Sequence, residues 1–218
     1  MIKKVLYKIR YLINKYLKAF IQFPPYDKSI NKKLLATDDP IRYTSIALAL
    51  NDIKNKSIEG NLAEVGVYQG NTSKIIHFLA PERKLYLFDT FEGFPSKFLD
   101  QEDYRFKDTT VKILKKKIGD LHNIIIKKGI FPETAKGLEN EKFSFVMIDL
   151  DLFAPTVAAL DFFYPRVVTG GYIFIHDYNN PLESKGDVYK ATKEFSANIK
   201  ENLTQIPDKW GSVIIRKS

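Results

Sequence analysis

Near the start of the chain, Ile2, Val5, Leu6, Ile9, Leu12, Ile13, Tyr16, Leu17, Phe20 and Ile21 recur every three or four positions, with Lys3, Lys4, Lys8, Arg10, Lys15 and Lys18 between them. That spacing predicts an amphipathic helix, ended at Pro24 and Pro25 because proline lacks the amide hydrogen a helix interior requires. A loop and a second helix follow between residues 31 and 56, with Ile41, Ile46, Leu48, Leu50 and Ile53 as apolar contacts. The period then changes. Short apolar runs at 62–67, 85–88, 123–127, 145–150 and 172–175 alternate with helical stretches at 72–80, 111–118 and 154–164. A tail helix carries Val188, Ala191, Phe195 and Ile199, and a strand at 212–216 is expected beside the fifth. Strands apolar nearly throughout and separated by helices predict an α/β fold with a parallel sheet covered on both faces.

The chain has 218 residues, 44% hydrophobic and 13% aromatic, enough for one substantial core plus an appendage, divided here into an arm at 1–35 and a domain at 36–218. The net charge of +8 resides in the arm: residues 1–33 hold nine Lys or Arg against Asp27 alone, and the remainder is balanced. A neutral body gives no support to a nucleic-acid partner. No apolar run approaches the ~18 residues of a membrane span. With no cysteine there is no disulfide, thiolate nucleophile or Cys-based zinc site, which fits a cytoplasmic location. A secretory signal is a poor fit to the arm, because Lys15 and Lys18 interrupt its apolar segment. Its stripe has two readings: packing on the body or on a second copy in a homo-oligomer, or peripheral contact of residues 1–23 with an anionic membrane face.

In open parallel sheets, ligands bind beyond the carboxyl ends of the strands. Those ends read Glu64-Val65-Gly66-Val67-Tyr68-Gln69-Gly70-Asn71-Thr72, Asp89-Thr90-Phe91-Glu92-Gly93, Gly129-Ile130-Phe131, Asp149-Leu150-Asp151 and His176-Asp177-Tyr178. A glycine turn followed, about twenty residues on, by an acid at the next strand end suits a nucleoside-containing cofactor, the acid accepting from both ribose hydroxyls. Two other classes stay open. A nicotinamide-dependent oxidoreductase lacks support from a third glycine or an evident Tyr-Lys pair, and a non-catalytic domain would be tethered to membrane or nucleic acid by the basic helix.

The segment 61–95, with Glu64-Val65-Gly66-Val67-Tyr68-Gln69-Gly70 and Phe88-Asp89-Thr90-Phe91-Glu92-Gly93-Phe94-Pro95, resembles the macrocin O-methyltransferase (TylF-type) family of S-adenosylmethionine-dependent enzymes. Ile148-Asp149-Leu150-Asp151-Leu152-Phe153 and Gly170-Gly171 through Asp177-Tyr178 continue the likeness over roughly residues 40–216. The resemblance implies a Rossmann-like class I methyltransferase fold, a seven-stranded sheet with its last strand antiparallel. It implies transfer of a methyl group to a hydroxyl of a sugar or glycoside, with a small molecule or glycan as the partner. Glu64 and Gly66 would hold the methionine end of S-adenosylmethionine, Asp89 the ribose, and Ile130 and Phe131 the adenine surroundings. Tyr68, Gly70, Thr72, Thr90, Phe91 and Asp149 would complete that pocket.

The resemblance also implies a divalent cation, typically magnesium, on Asp149 and Asp177. A sugar hydroxyl is a poor acid, so a cation that lowers its pKa and a carboxylate that takes its proton are useful chemistry. Asp149 is the expected ligand and proton acceptor. The family pattern has two acids before the tyrosine, and His176 replaces the first. Three accounts stay open: two carboxylates with more water, a softer metal, or His176 as base with no metal. Asp151 is either a substitute ligand or the cap of the helix near Ala154. His77 is read as packing or surface, and His122 carries no role. Segment 96–107 is expected to cover the cofactor and help to select the acceptor.

Overall fold

The computed structural model describes residues 28–99, 101, 103–182 and 185–218, together with positions 5, 9 and 12. The amphipathic segment expected at 2–21 lies outside the described residues except at Val5, Ile9 and Leu12, each helical and exposed. The chain divides into two units, Met1–Asp38 and Asp39–Ser218. The first contains helix α1 (Lys28–Leu35). Among the described residues no helix is long and apolar enough to cross a membrane.

The second unit opens with α2 (Pro40–Asn55), started by Pro40 in the first turn and by the Asp39 carboxylate, which accepts from the Arg42 amide. Then come β1 (Asn61–Val65), α3 (Asn71–Leu79), β2 (Leu85–Asp89), α4 (Val111–Ile118), β3 (Ile124–Lys128) and β4 (Phe143–Ile148). The chain closes with α5 (Phe153–Phe163), β5 (Val167–Ile175), α6 (Asp187–Ser196), β6 (Thr204–Gln205) and β7 (Val213–Arg216). The sheet has seven strands in the order β3-β2-β1-β4-β5-β7-β6. Strands β1 to β5 pair in parallel, and β7 runs antiparallel to both of its neighbours.

Two features differ from the sequence pattern. Strand β5 begins at Val167 rather than 172, because Gly170 and Gly171 form an irregularity within the strand instead of a turn before it. Gly170 has φ +82°, and a Cβ on Gly171 would stand 2.8 Å from the Ser144 carbonyl oxygen. Strand β6 has two exposed residues and no apolar signature.

Alternation along the strands sorts the two faces. Ala63, Val65, Tyr86, Phe88, Val146, Ile148, Ile173 and Ile175 join Phe163 of α5 and Val188 of α6 in one buried cluster. Phe163 stacks on Phe131 at 5.6 Å between centroids and meets Phe143 edge-on at 5.0 Å. Such pairs add about 0.5–1.5 kcal/mol beyond their burial. Glu64 alternates with Ala63 and Val65, so it points to the other face, where α2 packs on β4 and β5 and α3 packs on α2.

Candidate active site

The backbone ladder runs one residue past several strands and aligns their carboxyl ends. The Gly66 amide donates to the Phe88 carbonyl (2.9 Å), Asp149 to Val65 (2.8 Å), His176 to Ile148 (2.9 Å) and Gly129 to Asp89 (2.9 Å). Gly66, Asp89, Asp149 and His176 therefore stand along one edge.

Gly66 is needed for its neighbour. It has φ +88°, and a Cβ there would lie 1.7 Å from the Asp149 carbonyl oxygen. Beyond it the loop is fastened by Asp89: Oδ2 accepts from the amides of Val67 and Tyr68 (2.8 Å each) and Oδ1 from that of Phe91 (2.6 Å). A carboxylate has about four lone-pair sites, so Asp89 keeps acceptor capacity for ribose hydroxyls. Glu64 is buried and accepts from the Ser73 hydroxyl. Burial pushes its pKa well above the usual carboxylate value; the Ser73 bond offsets this in part, and Asp149 and Asp89 add to it. A buried acid with one neutral donor, in a cradle whose turns are left-handed at Gly66, Tyr68 and Gly70, fits the ammonium end of S-adenosylmethionine.

The second cluster centres on His176, which is buried at 6% exposure. Its Nδ1 lies 3.0 Å from Asp149 Oδ1 and 3.1 Å from Asp177 Oδ2. Its Nε2 lies 2.6 Å from Nη1 of Arg42, a residue that the sequence reading passes over. Arg42 is itself buried: Nη2 donates to the Tyr43 hydroxyl (3.1 Å), which lies 3.3 Å from Thr72 Oγ1, and Nη1 is 3.9 Å from Asp149 Oδ2. The loop before β7 braces both sides of this cluster. Asp39 Oδ2 accepts from the Lys209 amide (3.1 Å), and the Gly211 carbonyl accepts from Asn179 (2.8 Å).

Burial opposes charge on His176, and Asp149 and Asp177 outweigh it, lifting its pKa to about 10. Those acids alone would keep both ring nitrogens protonated at neutral pH. Arg42 does not allow it: a guanidinium has five N–H donors and no lone pair, so at 2.6 Å Nε2 must accept and the ring proton sits on Nδ1. Burial raises the Asp149 pKa, whereas the hydrogen bond from His176 and the positive charge of Arg42 lower it. Asp151 is the opposite case. Burial pushes its pKa well above the usual carboxylate value, and the charges of Asp149 and Asp177 reinforce the shift.

Asp149, His176 and Asp177 offer donor atoms within 4.8 Å of one another. The donor set does not fit a hard cation bound through the histidine, because the Nδ1 lone pair it requires is occupied by hydrogen. Asp151 does not cap α5; the Phe153 amide is held by Asp187 Oδ2 at 3.1 Å.

The remaining expected residues are distributed around this edge. The Tyr68 hydroxyl donates to Asp108 (2.7 Å), and the Thr90 hydroxyl closes a turn onto the Gly93 carbonyl (2.7 Å). Phe91 is buried and Ile130 half-buried, whereas Phe131 is turned into the aromatic core against Phe88 and Phe163. Near the end of the segment expected to cover the cofactor, Phe106 meets Tyr68 of the glycine loop at 5.2 Å and Phe94 at 5.3 Å, with Arg105 against both phenylalanine rings. His77 is buried on α3.

A sheet of this order, with acids clustered at the carboxyl ends of β1, β2, β4 and β5, defines a Rossmann-like class I methyltransferase domain. The O-methyltransferase NovP has the same fold, with a TM-score of 0.69 at 21% identity over 82% of this chain and 81% of that one. So do the calicheamicin methyltransferase CalS11 (TM-score 0.60, 18% identity, 92% and 96% covered) and a Bacillus cereus O-methyltransferase solved in complex with SAH (0.56, 12%, 96% and 97%). Residues 40–217 match the macrocin-O-methyltransferase (TylF) family, and the chain belongs to it. A Streptomyces olivaceus relative, 8-demethyl-8-(2,3-dimethoxy-alpha-L-rhamnosyl)-tetracenomycin-C 4'-O-methyltransferase, is 26% identical over 156 residues, 63% of this chain. Demethyldecarbamoylnovobiocin O-methyltransferase of Streptomyces niveus is 22% identical over 177 residues, 69% of this chain. The chain spans 60% and 65% of the lengths of these two relatives.

Proposed function

We propose that this chain is an O-methyltransferase that moves a methyl group from S-adenosylmethionine to a hydroxyl of a sugar or glycoside. The observation that carries this is the partly exposed Asp149 carboxylate on the same edge as Glu64 and Asp89, close enough that the charges of Asp149 and Asp89 are both felt at Glu64. Family membership and the names of the two relatives, both O-methyltransferases and one acting on a rhamnosyl group, support the substrate class. When bound, the cofactor supplies a methyl group on a sulfonium: the acceptor oxygen takes it, the C–S electron pair stays with sulfur, and the hydroxyl proton goes to a base. Asp149 is that base, Glu64 holds the ammonium, and Asp89 holds the ribose. Calorimetry separates the alternatives. Saturable binding of S-adenosylhomocysteine supports the reading, binding of NADH alone would replace it with a dehydrogenase, and binding of neither would leave a tethered, non-catalytic domain.

Glu64 gives that binding a pH dependence. Its free-state pKa is raised by burial, and an ammonium partner favours the carboxylate, so cofactor binding releases a proton while Glu64 is protonated. Affinity for S-adenosylhomocysteine should rise with pH until the free-state pKa is passed and then level off. Glu64→Gln should weaken binding by roughly tenfold or more and flatten the profile. Titrations in buffers of different ionisation enthalpy measure the proton directly; a profile that stays flat in the wild type would remove Glu64 from this role.

For the arm, the exposure of helical Val5, Ile9 and Leu12 and its excess of basic residues support contact with an anionic membrane face by an enzyme of the cytoplasm. Sedimentation with anionic liposomes should carry down the intact chain and leave a chain lacking residues 1–23 in the supernatant. Equal recovery of both in the supernatant would turn attention to a second copy of the chain, read by light scattering.

A further inference from the structure

We propose that this site works without the divalent cation expected at Asp149 and Asp177, the Arg42–His176 pair standing where that cation would act and fixing Asp149 as the proton acceptor. The catalytic half of this proposal rests on the methyl-transfer reading above; the metal half stands on geometry alone.

Arginine is protonated at every relevant pH and cannot accept a hydrogen bond. With Nη1 2.6 Å from Nε2, His176 has one compatible neutral tautomer, and its Nδ1–H points between Asp149 Oδ1 at 3.0 Å and Asp177 Oδ2 at 3.1 Å. A cation bridging these carboxylates would have to displace the N–H that lies between them, and one bound through the imidazole needs the lone pair of Nδ1. Moving the proton to Nε2 would free it, but would set two N–H groups against each other at 2.6 Å. Turning Arg42 away is opposed from several sides: it is buried, its Nη2 is held by Tyr43, and Asp39 lies 3.9 Å from Nε. The guanidinium places a fixed positive charge 3.9 Å from Asp149 Oδ2, which balances the carboxylate that a cation would otherwise have neutralised.

The same bonds assign the proton. Both nitrogens of His176 are engaged, Nε2 as acceptor and Nδ1 as donor, so the ring has no lone pair for a substrate proton. Asp149 keeps lone pairs on Oδ2 and is 24% exposed along its side chain, against 7% for His176. The acceptor hydroxyl proton therefore passes to Asp149. His176 and Arg42 are positioning residues: they orient that carboxylate and balance its charge without touching the acceptor.

The test uses the full chain after dialysis against a chelator. Titration with Mn2+, followed by calorimetry and by the electron paramagnetic resonance of free Mn2+, should show no stoichiometric site, and methyl transfer should survive the dialysis without added metal. Nitrogen-15 NMR of histidine-labelled protein should show the His176 ring protonated on Nδ1 and unprotonated on Nε2. His176→Asp, which puts a carboxylate in place of the imidazole, should take up one Mn2+ per chain. One Mn2+ per wild-type chain, or an Nε2-protonated His176, would overturn the proposal. Loss of S-adenosylhomocysteine binding would instead strike the methyl-transfer reading, leaving the metal titration and the tautomer to be judged separately.

Discussion

Asp149→Asn should leave S-adenosylhomocysteine binding nearly unchanged and lower the methyl-transfer rate by about 10²–10⁴-fold, the usual contribution of a positioned general base. The substitution is close to isosteric. An asparagine Oδ1 still accepts from His176 Nδ1–H, so the ring keeps its place, and the backbone bond from residue 149 to Val65 is untouched. What disappears is the ability to take a proton. The amide nitrogen would face Arg42 Nη1 across the space now measuring 3.9 Å, a mild repulsion that shifts stability far less than rate. Single-turnover kinetics beside calorimetry separate the effects, and a variant that binds cofactor and turns over at the wild-type rate would place the base elsewhere. The hydrogen bond from His176 and the charge of Arg42 both favour the Asp149 carboxylate, so the rate contribution of the proposed base should stay constant from neutrality upward.

Gly66→Ala should be the most damaging single methyl group in the domain. The added Cβ meets the Asp149 carbonyl oxygen at 1.7 Å and its carbon at 2.6 Å, both backbone atoms, at a residue with φ +88°. Left-handed geometry alone costs an L-residue about 1–2 kcal/mol, and overpacking adds about 1–3 kcal/mol. Relief requires parting β1 from β4 where the bonds Asp149 to Val65 and Gly66 to Phe88 hold the edge together. A loss of about 3 kcal/mol or more lowers the melting temperature of a domain this size by about 10 °C. Gly70→Ala is the control. It has a similar φ of +85°, but its Cβ meets Leu114 Cδ1, the end of a flexible side chain, so a smaller loss of about 1–2 kcal/mol is expected. Equal melting temperatures for the two variants would show that the contact with Asp149 is not what demands glycine at 66.

The parallel strands and their helices were legible because each is a continuous apolar run or an amphipathic stretch, and the acids at their ends follow from where such sheets bind ligands. Asp149, His176 and Asp177 were found that way. Arg42 was not. It shares the buried stripe of α2 with Ile46, Ala49, Leu50 and Ile53, and an arginine on an apolar face was the available signal; its partner lies 134 positions away, beyond any local pattern. The cap of α5 was missed for the same reason, since Asp187 reaches Phe153 from the start of α6. Phe131, which the family resemblance put among the adenine surroundings, turns its ring into the aromatic core, a choice that packing makes and spacing does not reveal.

Lys209 and Gly211 lie far along the chain from Arg42, yet their backbone groups fasten Asp39, which starts the helix bearing that arginine, and Asn179, which follows the His176-Asp177 pair. One short stretch thus ties the helix bearing Arg42 and the segment after His176 to a common anchor. Drift in that stretch moves guanidinium and imidazole together, preserving their mutual spacing, whereas cutting one tether, as Lys209→Pro would by deleting an amide hydrogen, shifts one against the other. Kinetic defects from substitutions there should consequently resemble those of Arg42 itself.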